Sequence, residues 1–172
     1  MKNSSVLVRF INWRKNNISD REFILILSVL VGLASGLSAV IIKNLVHIIQ
    51  EYLADFATKN GDYFYIFYPL IGILITVLFI KYINRRPVTH GVPNVLFSIS
   101  KRNGIIKQHN LYSSVVSSAI TVGFGGSVGL EGPTVATGAA IGSNIGRLLH
   151  LNYKQIILLL SCACAGAMSA IF

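Results

Sequence analysis

The chain has 172 residues, 53% of them hydrophobic and 12% charged, with a mean hydropathy of +0.64. A soluble domain carries about twice that charged share, so the composition excludes an ordinary soluble globular domain and points to a membrane protein. The net charge of +9 would suit nucleic acid, but the basic residues fall between apolar runs and are not interleaved with aromatics, so no nucleic-acid partner is expected.

Residues 1–20 read as a short basic segment ahead of one transmembrane domain, residues 21–172. Lys2, Arg9, Arg14 and Lys15 lie in that segment, and the stretch 81–107 carries Lys81, Arg85, Arg86, Lys101, Arg102 and Lys107. The connection "EYLADFATKNGD" instead holds Glu51, Asp55 and Asp62 against Lys59. This bias predicts a cytoplasmic N-terminus, a cytoplasmic 81–107 region and an external 51–62 loop, in a cell (inner) membrane. No signal peptide is expected, because the first apolar run starts only at Phe23 and no small-residue cleavage motif ends it.

The first helix is predicted over residues 21–53, capped by Ser19 or Asp20, with Glu22 in its first turn. It is longer than a perpendicular crossing needs, which predicts tilt, and Gly32 and Gly36 form a small-xxx-small step for close helix approach. A second span covers 63–83 and opens on an aromatic belt of Tyr63, Phe64, Tyr65, Phe67 and Tyr68. After "NRRPVTHGVPN" comes a stretch too short to cross, read as a half-helix opening at Pro93. A Ser- and Gly-rich run follows from 110 to 126. The next, 133–149, carries Gly138, Gly142 and Gly146 at spacing four, and the last runs from Tyr153 to Ile171. The ending "SAIF" has no polar flank and reads as a chain that continues. The glycine stripe and both broken helices are expected to find their partner surfaces in that continuation.

Cys162 and Cys164 cannot bridge at their spacing and read as buried free thiols. His47, His109 and His150 read as interfacial or solvated side chains. Neither a metal site nor a cofactor is expected.

Two stretches break helical regularity at membrane depth: "HGVPN" and "GSVGLEGP". Such breaks are tolerated where protein surrounds them or where they line a cavity. In each, Pro follows Gly closely and a helix begins, leaving first-turn amides and the positive dipole end exposed to a ligand. With glycines to admit close approach, this makes an anion site without a fixed cation, weak enough to release what it binds. Glu131 sits at the second start. Ionised, its carboxylate can take the place of an anion; protonated, it can leave, making it both gate and proton carrier. The plainer reading is a helix cap at a wet loop. A nucleotide loop is excluded by the missing Gly-Lys-Ser/Thr ending.

"GLEGPTVATGAAIGSNIGRLL" resembles the signature region of the CLC family of chloride channels and proton-coupled chloride antiporters, and "HGVPN" stands where that family has G-S-G-I-P. "SNIGR" and "CACAGAMSAIF" are similar to the family's continuation, so the resemblance covers residues 20 to 172. It implies an all-α polytopic membrane protein of tilted and broken helices. It also implies a homodimer with one anion pathway per subunit, in which this chain forms most of the first of two inverted repeats. The resemblance makes Glu131 the gating and proton-transfer residue, and His90, Gly91, Val92, Pro93, Gly129, Leu130, Gly132 and Pro133 the anion-binding positions. The implied partners are chloride or a related anion, protons and the lipid bilayer. Leu130 departs from the usual Lys or Arg, His90 from the anion-coordinating serine, and Asn94 from a common Glu. The serine position alters anion preference in the family, which keeps fluoride and nitrate beside chloride. An enzyme is not expected. Channel and antiporter both stay open, as does a non-conducting structural or regulatory subunit.

Overall fold

The computed structural model describes residues 19–60, 67–84, 91–106 and 109–172. All regular structure among them is helical. Helix α1, Asp20–Asn60, is about 60 Å long at 1.5 Å per residue, roughly twice the hydrocarbon thickness. The Phe23 N–H bonds the Ser19 carbonyl at 3.1 Å, and Asp20 and Glu22 sit in the first turn, favoured by the positive dipole end.

The segment expected to be an external loop is helical from Glu51 to Asn60, so α1 runs seven residues beyond its predicted end at 53. Nothing in "EYLADFATKN" breaks a helix, and His47 approaches Glu51 one turn on at 3.4 Å.

Helix α2, Tyr68–Leu78, has Pro69 in its first turn and passes directly into a π-helical turn, Phe79–Asn84. Of the expected aromatic belt, Phe67 is exposed and Tyr68 buried; Tyr63, Phe64 and Tyr65 lie outside the described residues. Helix α3, Val92–Lys101, is the expected half-helix of about 15 Å. Its N-cap, Gly91, has φ +87°, a left-handed conformation that disfavours any side chain. Helices α4, His109–Gly123, α5, Glu131–Leu148, and α6, Tyr153–Ile171, complete the order. Helix α5 starts two residues before the prediction because Pro is accepted anywhere in a first turn, where no N–H is required.

Helix α6 lies between α1 and α5, and glycines bring it close to both. A Cβ on Gly142 would stand 2.8 Å from the Leu159 carbonyl oxygen, and one on Gly138 2.8 Å from that of Ala163. On the other side, a Cβ on Gly36 would stand 3.3 Å from the Gly166 carbonyl oxygen. The glycine stripe therefore has its partner within the chain, contrary to expectation. The stripe meets Ile156, the backbone of Leu159 and Leu160, Ala163 and Ala167 of α6, while Gly166 and Ala170 of the same helix face Gly32 and Gly36 of α1.

Two apolar clusters fill the remaining space. Phe23 and Val31 of α1 pack with Ile156, Leu159 and Ala163, while Val95 of α3 and Ile106 pack with Val135, Ala139, Ala140 and Leu160. Between them, Ser143 fastens the turn after α3 onto α5. Its hydroxyl accepts from the Ile106 N–H at 2.9 Å and donates to the Gly104 carbonyl at 2.6 Å, both bonds buried.

The outer face of α1 is apolar and open: Leu25, Val29, Leu30, Leu33 and Leu37 are each more than half exposed. Asp20–Phe56 and Tyr153–Ile171 are long and apolar enough to cross a membrane. Cys162 and Cys164 are unpaired and half-buried, and the Cys164 thiol points to the Val135 carbonyl at 3.6 Å. His47 and His150 are exposed, as expected.

Candidate functional site

The two glycine-framed helix starts meet. A Cβ on Gly132, in the first turn of α5, would lie 3.6 Å from the Gly91 Cα at the cap of α3. Some forty residues of sequence separate them, yet a methyl at position 132 would stand in ordinary van der Waals contact with the Gly91 backbone.

The first turn of α5 is fixed from below by hydroxyls. Thr134 Oγ1 donates to the Leu130 carbonyl at 2.8 Å or that of Glu131 at 3.0 Å, and Thr137 Oγ1 to that of Pro133 at 2.8 Å. From α4, Ser114 reaches the Pro133 carbonyl at 3.4 Å. The Glu131 and Gly132 N–H groups have no acceptor within the helix, and Pro133 has no N–H. No side chain caps this helix. Its positive end is thus open.

A cavity of about 370 Å³ lies at this junction, lined by Gly91, Gly129, Gly132 and Pro133 together with Thr76, Ile80, Ser117, Ser118, Thr121, Val122 and Val128. None of these lining residues is charged. Such a space suits a small anion with several waters of its shell, each taking about 30 Å³ in the liquid.

Glu131 is exposed. Helix α5 becomes continuously buried only from Thr134 to Ala140, so its first turn projects beyond the packed body. The carboxylate folds back over Gly129, into the space that a Cβ there would fill. Of the expected anion-binding positions, Gly91, Gly129, Gly132 and Pro133 are brought together at the cavity. Val92, Pro93 and Leu130 belong to the same helix starts but do not line it. His90 lies outside the described residues.

Four cavity hydroxyls were missed from the sequence: Thr76, Ser117, Ser118 and Thr121. The signal was present in "SSVVSSAIT", where Ser113, Ser117 and Thr121 recur every fourth residue, the spacing of one helix face. Thr76 had no such signal, since it arrives from another helix.

A family model described as voltage gated chloride channel matches residues 71–172, more than half of the chain. The chain belongs to the voltage gated chloride channel family. That range takes in both helix starts and the cavity hydroxyls, and membership accords with the two helices long and apolar enough to cross a membrane. An uncharacterized protein of Methanocaldococcus jannaschii is 30% identical over 143 residues, which cover 82% of this chain and 33% of that protein. Chloride channel protein CLC-e of Arabidopsis thaliana is 23% identical over 165 residues, covering 89% of this chain and 22% of that protein. The chain thus spans a third or less of the length of these family relatives. No solved structure matches it. Its all-α, broken-helix fold is that of a voltage gated chloride channel family segment.

Proposed function

We propose that this chain forms part of a protein that moves a small anion, chloride foremost, through a pathway that includes the cavity between α3 and α5. The observation that carries the reading is the close approach of Gly91 and Gly132 at a cavity with an uncharged lining. Two helix dipoles aimed at one space attract an anion without holding it as firmly as a buried Lys or Arg would. Family membership points the same way.

Glu131 is the gate and proton carrier in this reading. Its carboxylate, ionised, competes with the anion for the open amides of its own helix start. On protonation that competition ends, the side chain leaves and an anion takes its place. The proton is carried on the carboxyl oxygen and is given up when the side chain returns. His90, Val92, Pro93 and Leu130 complete the anion-binding segment. The protein works as a homodimer in the cell membrane with its N-terminus in the cytoplasm, in keeping with the charge bias along the chain.

The test is anion flux and proton flux measured on the same liposomes holding the purified protein. Glu131→Gln, which keeps shape and removes the charge, is expected to spare anion movement while abolishing coupled proton movement. If the protein is a channel, the pH dependence of conduction disappears instead. Persistence of both proton movement and pH dependence in that variant would reduce Glu131 to a helix cap. Absence of anion flux from the unaltered protein would leave a non-conducting subunit.

A further inference from the structure

We propose that Thr76 and Thr121 form a hydroxyl pair that donates to a partly hydrated small anion in the cavity and helps to set which anion is accepted; this rests on the transport reading above. Thr76 comes from α2 and Thr121 from α4, and both line the cavity. Their oxygens lie 3.0 Å apart. Each also reaches a carbonyl of its own helix, Thr76 that of Gly72 at 2.9 Å and Thr121 that of Ser117 at 2.9 Å.

Each hydroxyl has one proton, so the pair offers two protons to three contacts, and one contact is always without a hydrogen. Both carbonyls belong to helix interiors, where a backbone N–H four residues on already serves them. Neither depends on a threonine. One hydroxyl can therefore turn its proton into the cavity while the other donates to it from behind, which strengthens the forward bond.

The neighbouring serines differ. Ser117 and Ser118 are buried, and each has two carbonyls of its own helix within reach: Ser117 those of Ser113 and Ser114 at 2.7 and 3.3 Å, Ser118 those of Ser114 and Val115 at 2.7 and 3.1 Å. Thr76 and Thr121 are only half-buried. The threonine pair is the part of the wall free to answer a ligand. A single hydroxyl donor favours an anion of concentrated charge, such as chloride or fluoride, over nitrate, whose charge is spread over three oxygens.

The experiment compares chloride, fluoride and nitrate flux in liposomes for the unaltered protein, Thr121→Val, Thr76→Val and Thr121→Ser. Each valine variant is expected to lower the chloride-to-nitrate ratio by about three- to tenfold, the worth of one net hydrogen bond, and Thr121→Ser to stay within about twofold of the original. Should Thr121→Val not fold, Thr76→Val, on the other helix, decides alone. Unchanged ratios in a valine variant, with the unaltered protein transporting normally, overturn this inference and leave the transport reading standing. A Thr121→Ser variant as altered as Thr121→Val also overturns it, since shape and not the hydroxyl would then matter. No anion movement from the unaltered protein overturns both.

Discussion

Replacing Ser143 by Ala removes one oxygen and strands two backbone groups. The Ile106 N–H loses its acceptor at 2.9 Å and the Gly104 carbonyl its donor at 2.6 Å, both buried, in a turn held on one side by α5. A buried polar group left unpaired costs about 1–3 kcal/mol, and some relaxation of the turn is available, so a total of about 2–4 kcal/mol is expected. The loss is local, because Gly138, Gly142 and Gly146 meet α6 from another face of the helix than the one Ser143 presents to the turn. It should appear as faster hydrogen exchange at the Ile106 amide, by roughly 30- to 700-fold at about 1.4 kcal/mol per factor of ten. The turn is also the rear anchor of α3, whose front end carries Gly91. Transport should therefore fall in the same variant, while Ser143→Thr, if its methyl is accommodated, keeps both bonds and most of the activity. Exchange at Ile106 unchanged by Ser143→Ala would refute the reasoning, because the turn would then be held by something other than this hydroxyl.

Glycine positions give two further tests. Gly142→Ala is expected to destabilise the protein by about 1–3 kcal/mol, since the new Cβ meets the backbone of Leu159 and Leu160 at 2.8 Å. Gly32→Ala, whose nearest neighbour stands at 3.8 Å, is expected to be neutral or to stabilise by up to about 1 kcal/mol through helix propensity. In detergent the thermal midpoint of Gly142→Ala should fall while that of Gly32→Ala holds or rises, and equal shifts would contradict the packing described. Gly129→Ala should fold normally, because its Cβ meets only the mobile end of Glu131. By displacing that carboxylate it should alter the pH dependence of anion flux, and an unaltered profile would show that the resting place of Glu131 over Gly129 has no part in gating.

Much of the fold could be read from punctuation. Pro93 and Pro133, each shortly after a glycine, mark the starts of α3 and α5, and the apolar run 153–171 coincides with α6. The misreadings share a cause: local composition was asked to decide what a neighbour decides. The charges in 51–60 suggest a loop, yet helix α1 needs only the absence of a breaker to continue. The stripe Gly138, Gly142 and Gly146 was correctly read as a close-contact face, but such a stripe specifies distance and not partner. Ile156, the backbone of Leu159 and Leu160, Ala163 and Ala167 supply the partner, and nothing local pairs one run with the other.

The site divides along the same line. Each glycine-framed start is a local property of five or six residues, and both were visible. Their meeting is not local, since only the packing of α3 and α5 against the same cluster of Val95, Val135 and Ala139 brings Gly91 to Gly132. That meeting accounts for the chemistry of the wall. Under the proposed function, with a partial positive charge from each helix end already fixed in place, a full cation among the lining residues would turn a passage into a trap. The wall instead holds apolar side chains and hydroxyls. A hydroxyl carries no net charge and can turn away when the anion departs. Among the described residues, the carboxylate of Glu131, folded over Gly129 at the edge of the same helix start, is then the group proposed to compete with an anion on equal terms. In the proposed transport reading, a lone glutamate in an otherwise uncharged stretch is what a binding site built from dipoles requires of its gate.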